Sequence, residues 1–233
     1  MTFSSWGFGS DTNATGTFPC SGTYEAFYIG RLGGETTAGG GGFNTTLAEQ
    51  LGATLTSSFW DVAGPDSPLK PSSDTPTQWG VAQANAYIAA WESNGLVGGT
   101  TLFADIESGN GGWTKGNYGP NQAVLHAFLQ TLSANYVPGV YISTTLWGDY
   151  FGTYTSTVPF VLWLWGTPCT ATTCAEAESQ FNSNYANLSL GGYKVMIWQY
   201  VIGPPNGCVN ATQDLDITPY NGYETGHWNP TAA

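Results

Sequence analysis

Thr101-Leu102-Phe103-Ala104-Asp105-Ile106-Glu107 is a mostly apolar run ending in two carboxylates, and Ser108-Gly109-Asn110-Gly111-Gly112 follows at once. A short apolar stretch closed by a glycine-rich turn reads as a buried strand. The pattern recurs along the chain. Upstream stand Trp6-Gly7-Phe8, Ala26 to Gly30 and Thr54 to Val62; downstream stand Gly139 to Ser143, Val158 to Trp165, Val195 to Tyr200 and Leu215 to Ile217. Helical spacing separates several of these strands. Gln78 to Trp91 carries Val81, Ala84, Ile88 and Trp91, with Thr75 placed to open a capping box. Asn121 to Tyr136 carries Val124, Leu125, Phe128, Leu129 and Leu132 on one stripe. A short helix is expected near Leu47 to Leu51 and a polar one from Ala175 to Tyr185. Eight short strands interleaved with helices predict an α/β fold: a single, irregular TIM-like (β/α) barrel of parallel strands across residues 1–233. Some helices are expected to be short or missing in the C-terminal third. A doubly wound open sheet is the alternative the same pattern admits.

Composition narrows the function. Only 9% of the 233 residues are charged, against about 25% in an ordinary domain. Lys+Arg is 4 and Asp+Glu is 16, giving a net charge of −12 and a pI near 4.1. So few cations cannot neutralise a run of phosphates, which excludes a nucleic-acid binder and a polybasic membrane-surface protein. No apolar stretch approaches the roughly 18 residues of a membrane span. An aromatic content of 15% excludes disorder. Solubility then rests on neutral polar groups and a few carboxylates, a composition suited to acidic surroundings outside a cell; a neutral secreted protein with a Ser/Thr-rich surface is the other reading.

The four cysteines, Cys20, Cys169, Cys174 and Cys208, fit a secreted protein with two disulfides, for which three pairings exist. Cys169 and Cys174 flank a span short enough to close locally, which would leave Cys20 for Cys208. The start, Met1-Thr2-Phe3-Ser4-Ser5-Trp6, has neither a cationic segment nor an apolar run of signal length. Export therefore implies a removed signal or another route. Sequons at Asn13, Asn44, Asn187 and Asn210 carry little weight in a chain so rich in Ser and Thr.

In a β/α barrel, catalytic groups project from strand ends at one face. Asp105 and Glu107, at i and i+2, point to one side, about 6.6 Å apart along a strand. Two carboxylates so placed compete for ionisation, and one of them holds a proton near neutral pH. One group to protonate a leaving oxygen and one to support a developing cation are what glycosidic cleavage requires. The plainer alternative is that both cap the following loop. Asp11, Asp61, Asp214 and Asp216 also fall at strand ends, as do Trp60, Tyr141, Trp163, Trp165, Trp198 and Tyr200. Carboxylates bind sugar hydroxyls and aromatic rings stack on apolar sugar faces, so the set predicts a carbohydrate cleft. Other chemistries lack support. His126 and His227 have no metal spacing, no GxSxG is present, and Gly39 to Gly42 lacks the Lys-Ser/Thr of a phosphate loop. No metal or cofactor is expected.

Phe103-Ala104-Asp105-Ile106-Glu107, Gly139-Val140-Tyr141-Ile142-Ser143, Trp198-Gln199-Tyr200 and Asp214-Leu215-Asp216-Ile217 stand in the order found in glycoside hydrolase family 25. The chain resembles still more closely a glycoside-hydrolase-like domain of unknown function related to that family, which Trp6-Gly7-Phe8 and Phe27-Tyr28-Ile29-Gly30-Arg31 also fit. The resemblance runs from about residue 5 to 220. It implies a muramidase that cleaves the β-1,4 bond after N-acetylmuramic acid in peptidoglycan, acting as a monomer on a polysaccharide and without nucleic-acid or membrane partners. It implies Glu107 as acid/base and Asp105 as the group that orients the substrate N-acetyl in a retaining, neighbouring-group reaction. Asp214 matches the family's last-strand Asp, and Tyr141 and Trp198 match cleft positions. The first strand departs: the family's Asp after Gly-Phe is Gly9 here, with Asp11 two residues on. A non-catalytic glycan-binding or surface protein on a retired hydrolase barrel is the competing reading.

Overall fold

Most of the short strands are apolar on both faces, and a sheet with two buried faces can close on itself. The computed structural model describes residues 6–10, 25–34, 55–96, 100–166, 173–201, 215–219, 223–224 and 227–228. Strands β1 (Trp6–Ser10), β2 (Glu25–Gly34), β3 (Leu55–Asp61), β4 (Thr101–Asp105), β5 (Val137–Ser143) and β6 (Val161–Trp165) pair in parallel and in chain order. A two-residue strand, β7 (Ser189–Leu190), lies antiparallel to the start of β8 (Tyr193–Val201). β8 joins β6 in parallel, and β9 (Leu215–Pro219) bridges β8 and β1 to close the barrel. A separate ladder pairs β10 (Tyr223–Glu224) with β11 (His227–Trp228).

The barrel is that expected, with one correction. β9 runs antiparallel to both neighbours, so the ring is not wholly parallel. An antiparallel return needs no crossover helix, and the preceding Gly203-Pro204-Pro205-Asn206-Gly207 has turn residues in place of a helical period. In consequence the first residues of β9, and not its last, stand at the strand-end mouth. Asp216 pairs with Gly9 on one side and Gln199 on the other.

Alternation sorts the core into two layers. Phe27, Ile29, Phe103, Tyr141, Val161, Trp163, Met196 and Ile197 fill the interior. Trp163 is its centre, 1% exposed, with the rings of Tyr141, Phe103 and Phe59 at centroid distances of 4.4, 5.4 and 6.1 Å. The outward faces meet the helices. α1 (Pro76–Ser93) starts at Thr75, whose hydroxyl accepts from the Gln78 amide, the capping box expected. Its buried face is Trp79, Gln83, Ala84, Tyr87 and Trp91; Val81, placed on the stripe by spacing, is exposed. The rotation follows from Gln83, whose side-chain amide donates to the Ala63 carbonyl and accepts from its N–H at 3.0 and 2.8 Å. A buried amide so satisfied is as much core as a leucine.

α2 (Tyr118–Leu132) buries the whole predicted stripe but ends at Leu132, short of Tyr136. α3 (Thr144–Phe151) is a helix that apolar spacing did not reveal. Ser143 caps it by accepting from the Leu146 amide, and it buries Trp147, Tyr150 and Phe151. α4 (Cys174–Asn184) follows β6 and opens on a Thr173/Glu176 capping box. Cys174 is held in a disulfide. The expected partner Cys169, the Cys20–Cys208 pair, and the helix near Leu47 to Leu51 lie outside the described residues. Among the described residues no helix is long and apolar enough to cross a membrane.

Candidate active site

Asp105 is the last residue of β4 and faces inward, two positions beyond Phe103. Its backbone carbonyl accepts from the Val62 N–H at 3.0 Å and from Asn110 Nδ2 at 2.8 Å, while the Ile106 N–H donates to the Tyr141 carbonyl at 3.0 Å. The peptide units around the side chain are thereby clamped from β3, β5 and the following loop. Asp105 is 6% exposed, and its Oδ1 has no hydrogen-bond partner among the described residues. Burial, then the charges of Glu107 and Asp61 and a hydrogen bond with Asp61, hold its carboxyl well above the usual range, against the opposing pull of Arg31. Asp105 therefore carries a proton where an ordinary aspartate does not.

Glu107 lies past the strand end, in extended backbone at φ −125° and ψ 161°, at the start of the 3-10 turn Ser108–Asn110. Its side chain is exposed. One carboxylate is deep and the other exposed just past the strand end, close enough for the field of one to act on the other.

Asp61 ends β3, beside Asp105 in register. It is 6% exposed and ion-paired to Arg31 of β2. Around the ring, Tyr141 follows Asp105 in register, and Trp163 follows Tyr141. The Tyr141 hydroxyl donates to Gln199 Oε1 of β8, and Trp163 Nε1 donates to Asp216 Oδ1 at 2.8 Å. Asp216 is fully buried. The structure thus gathers Asp61, Asp105, Tyr141 and Asp216 around one end of the barrel, with Glu107 above them. Trp165, two residues past Trp163 on β6, is 39% exposed at this same end.

Three sequence-predicted residues stand elsewhere. Trp198 and Tyr200 point outward into the layer beneath α4, because on β8 the inward positions are Ile197 and Gln199. Trp198 packs tilted against Tyr185 at 4.6 Å, and Tyr200 meets Phe8 edge-on at 6.3 Å. Burial, with a lesser push from Asp216, raises the Tyr200 hydroxyl far above the normal tyrosine range. Trp60 likewise faces outward and stacks on Tyr87 at 5.4 Å. Asp11 and Asp214 lie outside the described residues.

Gln199 and Arg31 were not singled out by the sequence. The period of two, counted from Ile197, would have found Gln199; being the only arginine in the chain was the one signal for Arg31.

The first strand bears on the departure at Gly9. A Cβ there would lie 2.6 Å from the Phe27 carbonyl oxygen and run into the Phe27 ring. Nothing larger than glycine fits the inward face of β1 at this point.

The closed eight-strand barrel is a fold shared with solved structures, one of them described as a glycosyl hydrolase 25. SleM, the spore cortex lytic enzyme of Clostridium perfringens, superposes with a TM-score of 0.56 at 16% identity, over 91% of this chain and 67% of that one. The modular autolysin LytC of Streptococcus pneumoniae gives 0.54 at 13% identity, over 91% of this chain but only 46% of LytC. GHIP, a glycosyl hydrolase 25 virulence factor of Streptococcus pneumoniae, gives 0.50 at 13% identity, covering 82% of this chain and 75% of that one. No family model matches the chain, and no curated protein matches it by sequence.

Proposed function

We propose that this chain is an exported muramidase-like glycoside hydrolase that cleaves β-1,4 bonds of an N-acetylated glycan, with peptidoglycan as the substrate class. The observation that carries the reading is the Asp105–Glu107 pair: one carboxyl buried and proton-bearing, the other exposed within its field. Support comes also from the barrel shared with SleM, described as a spore cortex lytic enzyme, and GHIP, described as a glycosyl hydrolase 25.

Glu107, reachable from solvent, takes up a proton from acidic solvent and delivers it to the glycosidic oxygen as the bond to the anomeric carbon breaks. The N-acetyl carbonyl of the same sugar closes on the anomeric carbon from the opposite face, and Asp105 orients that acetamido group. Glu107, now a carboxylate, then takes a proton from the water that opens the cyclic intermediate, so configuration is retained. Tyr141 walls the site beside Asp105, and Asp61 and Asp216 hold the deeper polar layer. Asp11 and Asp214 are assigned to substrate binding on their sequence positions at predicted strand ends, Asp214 also on the resemblance. The site uses no metal or cofactor, and the enzyme works as a monomer. General-acid catalysis by Glu107 needs its protonated form, so activity falls toward alkaline pH.

The test is release of soluble muropeptides and loss of turbidity from purified cell walls between about pH 3 and pH 7, comparing wild type with Glu107→Gln. Turnover by the wild type, lost in the variant, is the expected result. No product at any pH removes the hydrolase reading. The closure of the β1 position at Gly9 favours one alternative, a glycan-binding protein on the same barrel, and saturable sugar binding without turnover would establish it.

A further inference from the structure

The single arginine of a chain with four basic residues sits at the barrel end, mostly buried with 21% of its side chain exposed. Arg31 continues the inward face of β2 after Phe27 and Ile29 and pairs in register with Phe59. Asp61 lies two residues beyond Phe59 on the same face, about 6.6 Å further toward the mouth. The Arg31 side chain spans that layer and places Nη2 on Asp61 Oδ2. Just past Arg31 the β2–β3 register slips by one residue, and β2 then presents Gly34 to Asp61, where a Cβ would lie 2.8 Å from the Asp61 N and O atoms. Asp61 is thus held by a cation from one side and by close backbone from another. Its neighbour on β4 is Asp105, to which it is hydrogen-bonded.

We propose that Arg31 is a positioning residue that acts through Asp61: by fixing the Asp61 carboxylate it orients the Asp105 carboxyl and decides which Asp105 oxygen is turned toward Glu107 and a bound sugar. The inference rests on the hydrolase reading for its consequence, but its geometry stands apart from that reading. A carboxyl–carboxylate hydrogen bond shares one proton between two acids, so fixing the plane of the outer carboxylate fixes which oxygen of the inner one can take part. Four titratable or charged groups face Asp105: Asp61 from β3, Arg31 from β2, Glu107 beyond β4 and Tyr141 from β5. Of these Arg31 alone opposes the rise of the Asp105 carboxyl. Guanidinium geometry matters here, since a planar fork fixes the plane of a carboxylate and an ammonium does not.

The experiment combines isotope-edited NMR of labelled aspartate with a kinetic cycle. Asp105 titration is followed in wild type and Arg31→Gln, and removing the cation should move it to higher pH. On cell walls, Arg31→Gln should lower kcat by roughly 10- to 100-fold, the scale of a misplaced catalytic group. Arg31→Lys should recover part of that loss. In an Asp105→Asn background, where a fixed amide donates to Asp61, adding Arg31→Gln should change kcat by less than about threefold. An unmoved Asp105 titration, or an equal fold-loss in both backgrounds, overturns the proposal and leaves Arg31 a structural ion pair. Should the wild type show no turnover, the hydrolase reading falls while the titration still decides the role of Arg31. Thermal melts of each variant separate misfolding from either result.

Discussion

Restoring a side chain at Gly9 is the sharpest perturbation the structure offers. Position 9 faces the barrel interior between Phe27 of β2 and Asp216 of β9. A Cβ would lie 2.6 Å from the Phe27 carbonyl oxygen, whereas non-bonded heavy atoms settle near 3.5 Å. The obstacle includes backbone within a β ladder, so relief requires a strand to move, not a rotamer to turn. Forcing one extra carbon into a packed interior costs about 1–3 kcal/mol. For a domain of this size each kcal/mol lowers Tm by about 2–4 °C, so Gly9→Ala should melt roughly 2–12 °C below wild type. Gly9→Asp should be worse by several kcal/mol, because it adds a carboxylate beside the fully buried Asp216. Calorimetry or circular dichroism at a fixed pH measures both. The sign is discriminating: where glycine is not sterically required, Gly→Ala stabilises by about 0.4–1 kcal/mol through the unfolded chain. A Gly9→Ala protein that melts at or above the wild-type temperature would refute the packing argument and reopen β1 as a place for a catalytic aspartate.

Three further outcomes follow from the same structure. Asp105→Asn should change the pH dependence of stability: the wild-type carboxyl is raised on folding, so its contribution is full in acid and is lost as pH climbs through its folded value, and Tm of the variant minus Tm of wild type should grow from about pH 4 to pH 8. A constant difference would count against a buried, proton-bearing Asp105. Glu107→Gln, at an exposed position, should stay within about 0.5 kcal/mol of wild type by denaturant titration while losing turnover. Trp198→Ala should cost about 3–5 kcal/mol, because the indole fills the layer under α4 against Tyr185. If it melts normally and its KM rises, Trp198 belongs to the cleft after all.

How much of this was legible beforehand depended on which signal each residue carried. Strands β4, β5 and β8 were marked by apolar runs between turns, and the Asp105–Glu107 pair was visible because a period of two puts i and i+2 on one face. Trp198 and Tyr200 were misplaced for the same reason: chemistry drew attention to the aromatic rings, but parity belongs to Gln199 between them. Val81 is apolar yet exposed, because the face of α1 is fixed by the amide of Gln83 on Ala63 and not by apolar spacing. α3 was hidden by brevity: eight residues hold barely two turns, and their signal was a Ser143 cap before Leu146 and Trp147. The direction of β9 was beyond periodicity altogether, since alternation reads the same in either sense.

The placement of Arg31 changes what the low charge of this chain means. With 16 acids against four bases, a protein adapted only for solubility could leave its carboxylates outside and unpaired. Here Asp61, Asp105 and Asp216 are buried at one barrel end, and the sole arginine is committed to them. Three buried acids with one cation cannot all ionise cheaply, so protons must enter the site, as the raised Asp105 carboxyl records. Buried acids short of counter-ions need polar contacts, and the Trp163 N–H donated to Asp216 and the Asp61–Asp105 hydrogen bond supply them. Such an arrangement is most stable where protons are abundant and weakens toward alkaline pH. The scarcity of bases elsewhere then has a structural counterpart inside: the acid-rich barrel end relies on a proton where a less acidic protein would use a second cation.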